Sequence, residues 1–497
     1  MSRRRKTNSK KNHKPRRTRA RSPEVTRRDL LKGALMGGIA AAVGGGILSG
    51  CESPMILPAA RAATGSLPNI LFVFSDSHRA SAWSGGAESH VITPHLGQMA
   101  DQGVVFSQCV ANYPLCSPAR ASLLTGLYPQ THGVTENLPN YCSTPLDPRF
   151  ATVAEVCQRA GYATGYIGRW HLDTVKLQED IPPGPKRQGF DHYWRHIRVL
   201  YARGYRTWTF DAEGRRVDMD PWSVPAQTEM VIEGIRKLKD RPFCLFVSFT
   251  PPHSPYEHAP AEWRRRYQET AFPLRPNVTR HPDATREQLC GYYAFISGID
   301  AAMGRLMRAL DEMGLAADTI LVYTSDHGEL VNSHDHWTKY FPWEESIGVP
   351  LLIRWPRRLK GGRRLDLPAG TVDLSPTLLG LAGLPIPPAM EGRNLSPMML
   401  NGAAHRSEDS LFLMRILLPG VTDIAASGDW RGVRTGRHTY ARLRSGGASQ
   451  PWLLYDNRED PFQIVNLVGN PRHQALQRHL EAELARWIRR TGDDFPA

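Results

Sequence analysis

The run Asn69-Ile-Leu-Phe-Val-Phe74, ending abruptly in Ser75-Asp76, decides how this chain folds. An unbroken apolar stretch of this length reads as a strand buried on both faces, and it delivers a hydroxyl and a carboxylate at its carboxyl end. The pattern recurs three times. Tyr162-Ala-Thr-Gly-Tyr-Ile167 leads into Gly168-Arg169-Trp170-His171, Phe243-Cys-Leu-Phe-Val-Ser-Phe249 into Pro252-His253, and Ile320-Leu-Val-Tyr-Thr324 into Ser325-Asp326-His327-Gly328. Helical patterns at 151–160, 226–239, 285–313 and 371–383 lie between and beyond them. The fold class expected is α/β, with a mostly parallel central sheet flanked by helices on both faces. In such sheets ligands sit outside the carboxyl ends of the strands, so the four polar clusters are expected to converge on one crevice.

From about residue 400 the texture changes to short strand-like runs, Trp430 to Thr435, His438 to Leu443 and Trp452 to Tyr455. A charged amphipathic helix follows at about 471–491. This predicts a smaller C-terminal α+β domain with a short antiparallel sheet and a terminal helix. The expected division is 1–51 leader, 52–67 linker, 68–400 catalytic domain and 401–497 C-terminal subdomain.

Composition narrows the function classes. The chain has 497 residues, 41% hydrophobic and 22% charged, which argues against a disordered, collagen-like or polytopic membrane protein. Its net charge of +14 is local: 15 of the 62 Lys and Arg residues, against three acids, fall within residues 1–61. The remainder carries 47 basic and 45 acidic residues, so the charge is no nucleic-acid footprint. The basic leader ends in Thr26-Arg27-Arg28-Asp29-Leu30-Leu31-Lys32, and Gly33 to Cys51 is uncharged with seven glycines. This resembles a twin-arginine export signal. Leu48-Ser49-Gly50-Cys51 looks like a lipoprotein box, making Cys51 a candidate for lipidation and membrane anchoring. Ala60-Arg61-Ala62 is a competing cleavage site that would release a soluble protein. Either outcome places the protein outside the cytoplasm, periplasmic or at the cell surface. The six later cysteines are too sparse for a disulfide framework.

The sharpest motif is Cys116-Ser117-Pro118-Ala119-Arg120, followed by Leu124-Thr125-Gly126 and Tyr128-Pro129. It resembles the sulfatase signature, in which a maturation enzyme oxidises the Cys of a Cys-x-Pro-x-Arg core to formylglycine before the chain folds. A hydrated aldehyde offers one hydroxyl to attack sulfur and a second to expel sulfate afterwards, which a thiol does not. The resemblance continues through Gly168-Arg169-Trp170-His171-Leu172, Pro252-His253-Ser254-Pro255 and His336-Trp337-Thr338-Lys339, and covers roughly residues 68–492. It implies that Asp76, Asp326 and His327, with the modified Cys116, hold a divalent cation, usually Ca2+, with Mg2+ or another divalent ion as alternatives. It implies further that Arg120, Arg169 and Lys339 bind sulfate, that His253 contacts sulfate and protonates the leaving oxygen, and that His171 orients the formylglycine and takes its proton. A zinc site formed by His327, His334 and His336 is a lesser alternative.

Two positions depart from the family pattern. Ser77 stands where relatives carry Asp, Asn or Gln, and a hydroxyl is a weaker ligand; Arg169 replaces a Lys, offering a flat fork in place of a point donor. The function expected is an exported sulfatase acting on an aryl or carbohydrate sulfate ester. Its expected partners are a small-molecule or glycan sulfate ester, the formylglycine-generating enzyme and the twin-arginine export machinery, with no nucleic acid. The rivals are a phosphodiesterase or phosphonate monoester hydrolase on the same scaffold, or a catalytically silent lipoprotein that binds sulfated glycans.

Overall fold

The Asn69–Phe74 run lies in β1 (Asn69–Asp76), a strand buried along its whole length. Its side chains alternate between two cores. Ile70, Phe72 and Phe74 face one, Leu71 and Val73 the other, so helices must cover both sides of the sheet. A computed structural model describes residues 67–139, 144–201, 206–402, 410–418 and 425–496. The leader, the linker up to residue 66, Cys51 and Cys142 lie outside the described residues.

The remaining strands are β2 (Val104–Val110), β3 (Ala163–Gly168), β4 (Tyr193–His196), β5 (Arg198–Leu200), β6 (Arg206–Phe210), β7 (Arg216–Met219), β8 (Phe243–Pro252) and β9 (Thr319–Ser325). They are followed by β10 (Leu352–Arg354), β11 (Arg363–Gly370), β12 (Leu411–Arg415), β13 (Trp430–Arg434), β14 (His438–Ser445) and β15 (Ala448–Asp456). The central eight-stranded sheet runs β11-β2-β10-β9-β1-β8-β3-β4. The four strands expected from sequence, β9, β1, β8 and β3, are consecutive neighbours in it and mutually parallel. Register aligns Ser75 with Ser325, and Phe74 and Gly168 both with Ser248, so the four carboxyl ends stop at one level. Only β10 runs antiparallel to its neighbours.

One face carries the helices Cys116–Thr125, Val153–Arg159 and Leu374–Ala382, packed through residues such as Leu124, Val156 and Leu378. The other carries Pro94–Asp101, Val224–Leu238 and the 31-residue Pro282–Glu312, whose Ile299, Met303, Leu306 and Leu310 form the inward stripe. Local chemistry fixes several helix starts. Thr152 and Glu155 make a reciprocal capping box, and Pro94 and Pro282 supply a first-turn proline.

The C-terminal sheet, β12-β13-β14-β15, is antiparallel, and the helix Gln474–Thr491 packs on it through Leu480, Leu484, Trp487 and Ile488. Tyr113, Leu115 and Tyr128, which bracket the Cys116 helix, share that cluster. The segment 178–206 contributes β4 to the central sheet and β5 to a separate three-stranded sheet, β5-β6-β7. Among the described residues, no helix is long and apolar enough to cross a membrane.

Candidate active site

The convergence expected from the strand ends is present. Asp76 closes β1 just past a shift in register, and the Asp326 amide, immediately after β9, donates to the Ser75 carbonyl at 3.1 Å. Both carboxylates are fully buried. Cys116 begins the helix Cys116–Thr125, which places Arg120 one turn later on the same face. Arg120 then ties the strands together. Its Nε donates to Asp326 Oδ2 at 3.0 Å, Nη2 to Asp76 Oδ2 at 2.8 Å, and Nη1 to the Arg169 carbonyl at 2.6 Å and Ser248 Oγ at 2.7 Å. Four of its five N–H groups are thus engaged, so Arg120 holds the carboxylates, and the direct grip on sulfate expected from sequence is left with a single N–H.

Arg169 adds a second bond to Asp76 Oδ2, from Nη1 at 2.5 Å. It follows Gly168, where φ is 126° and a Cβ would lie 2.1 Å from the Ser248 carbonyl oxygen, so only glycine brings β3 this close to β8. With each Oδ2 occupied by guanidinium, the Oδ1 atoms of Asp76 and Asp326 lie 3.8 and 3.7 Å from His327 Nε2. Cys116 Sγ sits 3.2 Å from His327 Nε2 and 3.6 Å from Asp76 Oδ1. One ligand atom from each of Asp76, Cys116, Asp326 and His327 falls within 4.8 Å of every other. His327 Nδ1 donates to the Gly328 carbonyl at 2.8 Å, which leaves its Nε2 lone pair facing the cluster, the tautomer a metal ligand needs. Two carboxylate oxygens, an imidazole nitrogen and the position 116 side chain around one point fit a divalent cation.

Ser77 completes the turn in the left-handed region at φ 75°, as does His171 at φ 62°. Strained non-glycine backbone of this kind collects at functional sites. Ser77 serves the carboxylates as a donor: its N–H reaches Asp326 Oδ1 at 3.2 Å and its Oγ reaches Asp76 Oδ1 at 3.3 Å. The lesser zinc alternative does not assemble. His334 stacks on Trp343 and pairs with Glu345, and His336 packs on Phe341, away from the His327 cluster.

The electrostatics follow from burial among charges. Burial opposes charge on Asp76, but Arg169, His253 and Arg120 outweigh it and hold its carboxyl well below the carboxylate range. Burial and then Asp76 push the unmodified Cys116 thiol up to about 12, leaving it protonated and poorly nucleophilic. Burial also opposes the charge of Lys339, which is 6% exposed, yet Cys116, Glu329 and Asp76 together raise its pKa. Burial and Arg169 lower His171 well below the usual imidazole range. Its Nε2 accepts from Arg169 Nη2 at 3.2 Å, and its carbonyl accepts from Ser117 Oγ at 2.7 Å. Burial and Lys339 bring His253 down to about 3, and its Nδ1 donates to the Ser254 carbonyl at 2.6 Å.

Three residues of the site were not anticipated. Ser248 anchors Arg120, and its signal was a lone hydroxyl inside the apolar run 243–249. Glu329, 2% exposed, faces Ser77 and Lys339, one residue past the Asp326-His327-Gly328 motif. Tyr201, just after β5, stacks on His253 with ring centroids 4.6 Å apart and planes 24° apart, while the Arg169 guanidinium lies 5.6 Å from its ring centre. Sequence carried no signal for that contact.

Comparison with known proteins places this geometry. A family model described as sulfatase matches residues 68–384, and one described as N-sulphoglucosamine sulphohydrolase, C-terminal, matches 332–490. An ulvan-active sulfatase of Formosa agariphila is 34% identical over 437 residues, covering 86% of this chain and 82% of its own. A solved structure from Bacteroides thetaiotaomicron, reported in the setting of the metabolism of multiple glycosaminoglycans, superposes with a TM-score of 0.78 at 27% identity, over 86% of this chain and 97% of its own. The phosphonate monoester hydrolase of Agrobacterium radiobacter shares the fold, with a TM-score of 0.69 at 23% identity over 85% of this chain and 96% of its own. A match to the family model over residues 68–384, more than half of the chain, together with a relative of this identity, establishes that the chain belongs to the sulfatase family of sulfuric ester hydrolases.

Proposed function

We propose that the protein is an exported sulfatase that hydrolyses a carbohydrate sulfate ester to the alcohol and inorganic sulfate, with formylglycine made from Cys116 as nucleophile. The observation that carries this reading is the position of Cys116 Sγ, 3.2 Å from His327 Nε2 and 3.6 Å from Asp76 Oδ1, inside a ring of buried cations. Asp76, Asp326 and His327, with the oxygen that replaces Sγ, would hold a divalent cation, Ca2+ by the hardness of the oxygen donors. When bound, that ion withdraws charge from sulfate oxygens. The names of the relatives, an ulvan-active sulfatase and a protein of glycosaminoglycan metabolism, favour a glycan substrate.

The chain's own residues then divide the work. Arg120 orients the two carboxylates, and Arg169 and Lys339 offset the negative charge that grows on sulfate as a hydroxyl of the hydrated aldehyde attacks sulfur. His253, fixed at Nδ1 by the Ser254 carbonyl, presents Nε2 to the leaving oxygen; the anionic sulfate ester, once bound, offsets the Lys339 and Arg169 charges that keep the free imidazole neutral, so that Nε2 takes up a proton from solvent and passes it to that oxygen as the sulfur–oxygen bond breaks. His171, kept neutral by burial and Arg169, takes the proton of the second hydroxyl at Nε2 as sulfate is expelled and the aldehyde returns, its lone pair freed when Arg169 Nη2 turns from it to sulfate. The leader with its paired arginines and Cys51 supports export, with a membrane anchor if Cys51 is acylated.

The deciding experiment is the mass of the proteolytic peptide containing Cys116, from protein produced in its native host. Aldehyde in place of thiol is the expected result. An unmodified thiol in folded, exported protein would refute the mechanism and favour a sulfated-glycan-binding role.

A further inference from the structure

We propose that Tyr201 is a positioning residue for leaving-group protonation: its ring fixes the plane of the His253 imidazole and walls the leaving-group side of the sulfate site. This inference rests on the assignment of His253 as the leaving-group acid.

A single hydrogen bond from Nδ1 to the Ser254 carbonyl sets the direction of the His253 ring but leaves it free to swing about that bond. The near-parallel stack of Tyr201, 4.6 Å away at 24°, removes that freedom and aims Nε2 into the site. The same ring lies 5.6 Å from the Arg169 guanidinium, within cation–π range. One aromatic side chain therefore touches both a residue that holds sulfate and the residue that protonates the departing oxygen, and its surroundings also include Asp76, Cys116 and Lys339. Because Tyr201 follows β5, in the small sheet inserted between β4 and the helix Val224–Leu238, it can be tuned to a leaving group without disturbing the central sheet.

A filler would support stability and affect all substrates alike, whereas a positioning residue matters most where the leaving group most needs a proton. The test is the slope of log kcat/KM against leaving-group pKa for aryl sulfates, from nitrophenyl to unsubstituted phenyl, in mature, cation-loaded enzyme. His253→Ala should steepen the slope, losing on the order of 10²-fold on the poorest leaving group and little on the best. Tyr201→Leu, which retains bulk but not the flat face, should steepen it in the same sense, by ~10-fold at the poor end. Tyr201→Phe should restore the parent slope. A parent slope in Tyr201→Leu beside a steep one in His253→Ala would overturn the role of Tyr201 and leave His253 as the acid. A parent slope in His253→Ala itself would overturn both.

Discussion

Two buried arginine–carboxylate clusters lie at the ends of these strands, and they use their acids differently. In the first, Glu88 Oε2 accepts from Arg79 Nε and Nη2 at 3.2 and 2.8 Å and from the Tyr293 hydroxyl at 3.0 Å, while Oε1 accepts from Ser81 Oγ and Arg275 Nη1 at 3.2 and 3.1 Å. Arg275 Nε continues to Glu345 Oε1 at 2.8 Å. Both edges of Glu88 are saturated. In the second, Arg120 and Arg169 crowd onto the Oδ2 atoms of Asp76 and Asp326 and leave the Oδ1 pair facing Cys116 and His327. Both clusters pair guanidinium with carboxylate. What separates a brace from a site is whether guanidinium groups cover both edges of a buried carboxylate or only one, the other being left to neutral donors such as the Ser77 amide and hydroxyl.

That contrast can be broken at either end. Cys116→Ala should lower turnover by more than ~10³-fold while changing the free energy of unfolding in urea by less than about 1 kcal/mol, because the site loses its reacting group and no ion pair. Glu88→Ala should do the reverse at the level of the fold. Removing one partner strands buried Arg79 and part of Arg275, at a cost of about 3–5 kcal/mol read from urea unfolding.

Cation removal sharpens the comparison. Chelation should lower the free energy of unfolding by about 2.7 kcal/mol relative to protein in cation at a hundred times its Kd. Asp326→Asn should abolish that response, and Arg275→Lys should retain it, since the brace offers the ion no free oxygen. The smallest effect expected concerns pH. His132 is buried and lowered to about 3, chiefly by burial; it accepts from the Val134 amide at Nδ1 and donates from Nε2 to Ser122 Oγ at 3.1 Å, on the helix that carries Cys116. The folded state favours its neutral form, so its contribution is complete above the unfolded value of about 6.5 and declines as pH falls toward 3. His132→Asn should flatten the fall of the unfolding midpoint between about pH 6 and 4.

The four central strands were legible because β1, β3, β8 and β9 are buried on both faces and so read as plain apolar runs. The ligand cluster was legible because its members follow those strands directly or open the next helix. β10 and β5 were not, each being only three residues long, and β10 besides running antiparallel among parallel neighbours. Ser248 was visible as a residue and invisible as a partner, since its bond to Arg120 spans 128 positions. The Tyr201–His253 stack depends on how an inserted sheet folds back over the crevice, and no local spacing encodes that.

The site also joins segments far apart along the chain: Arg120 reaches Asp326 across 206 positions, and the Ser77 amide reaches the same carboxylate across 249. Parallel strands joined by long crossovers carry a high contact order, and loop closure on that scale slows folding. Cys116 is 1% exposed once the sheet has closed, so any enzyme that oxidises it must finish while the strands are still apart. A slow topology keeps that window open, which makes folding rate, as well as folding stability, a property on which the number of active molecules depends.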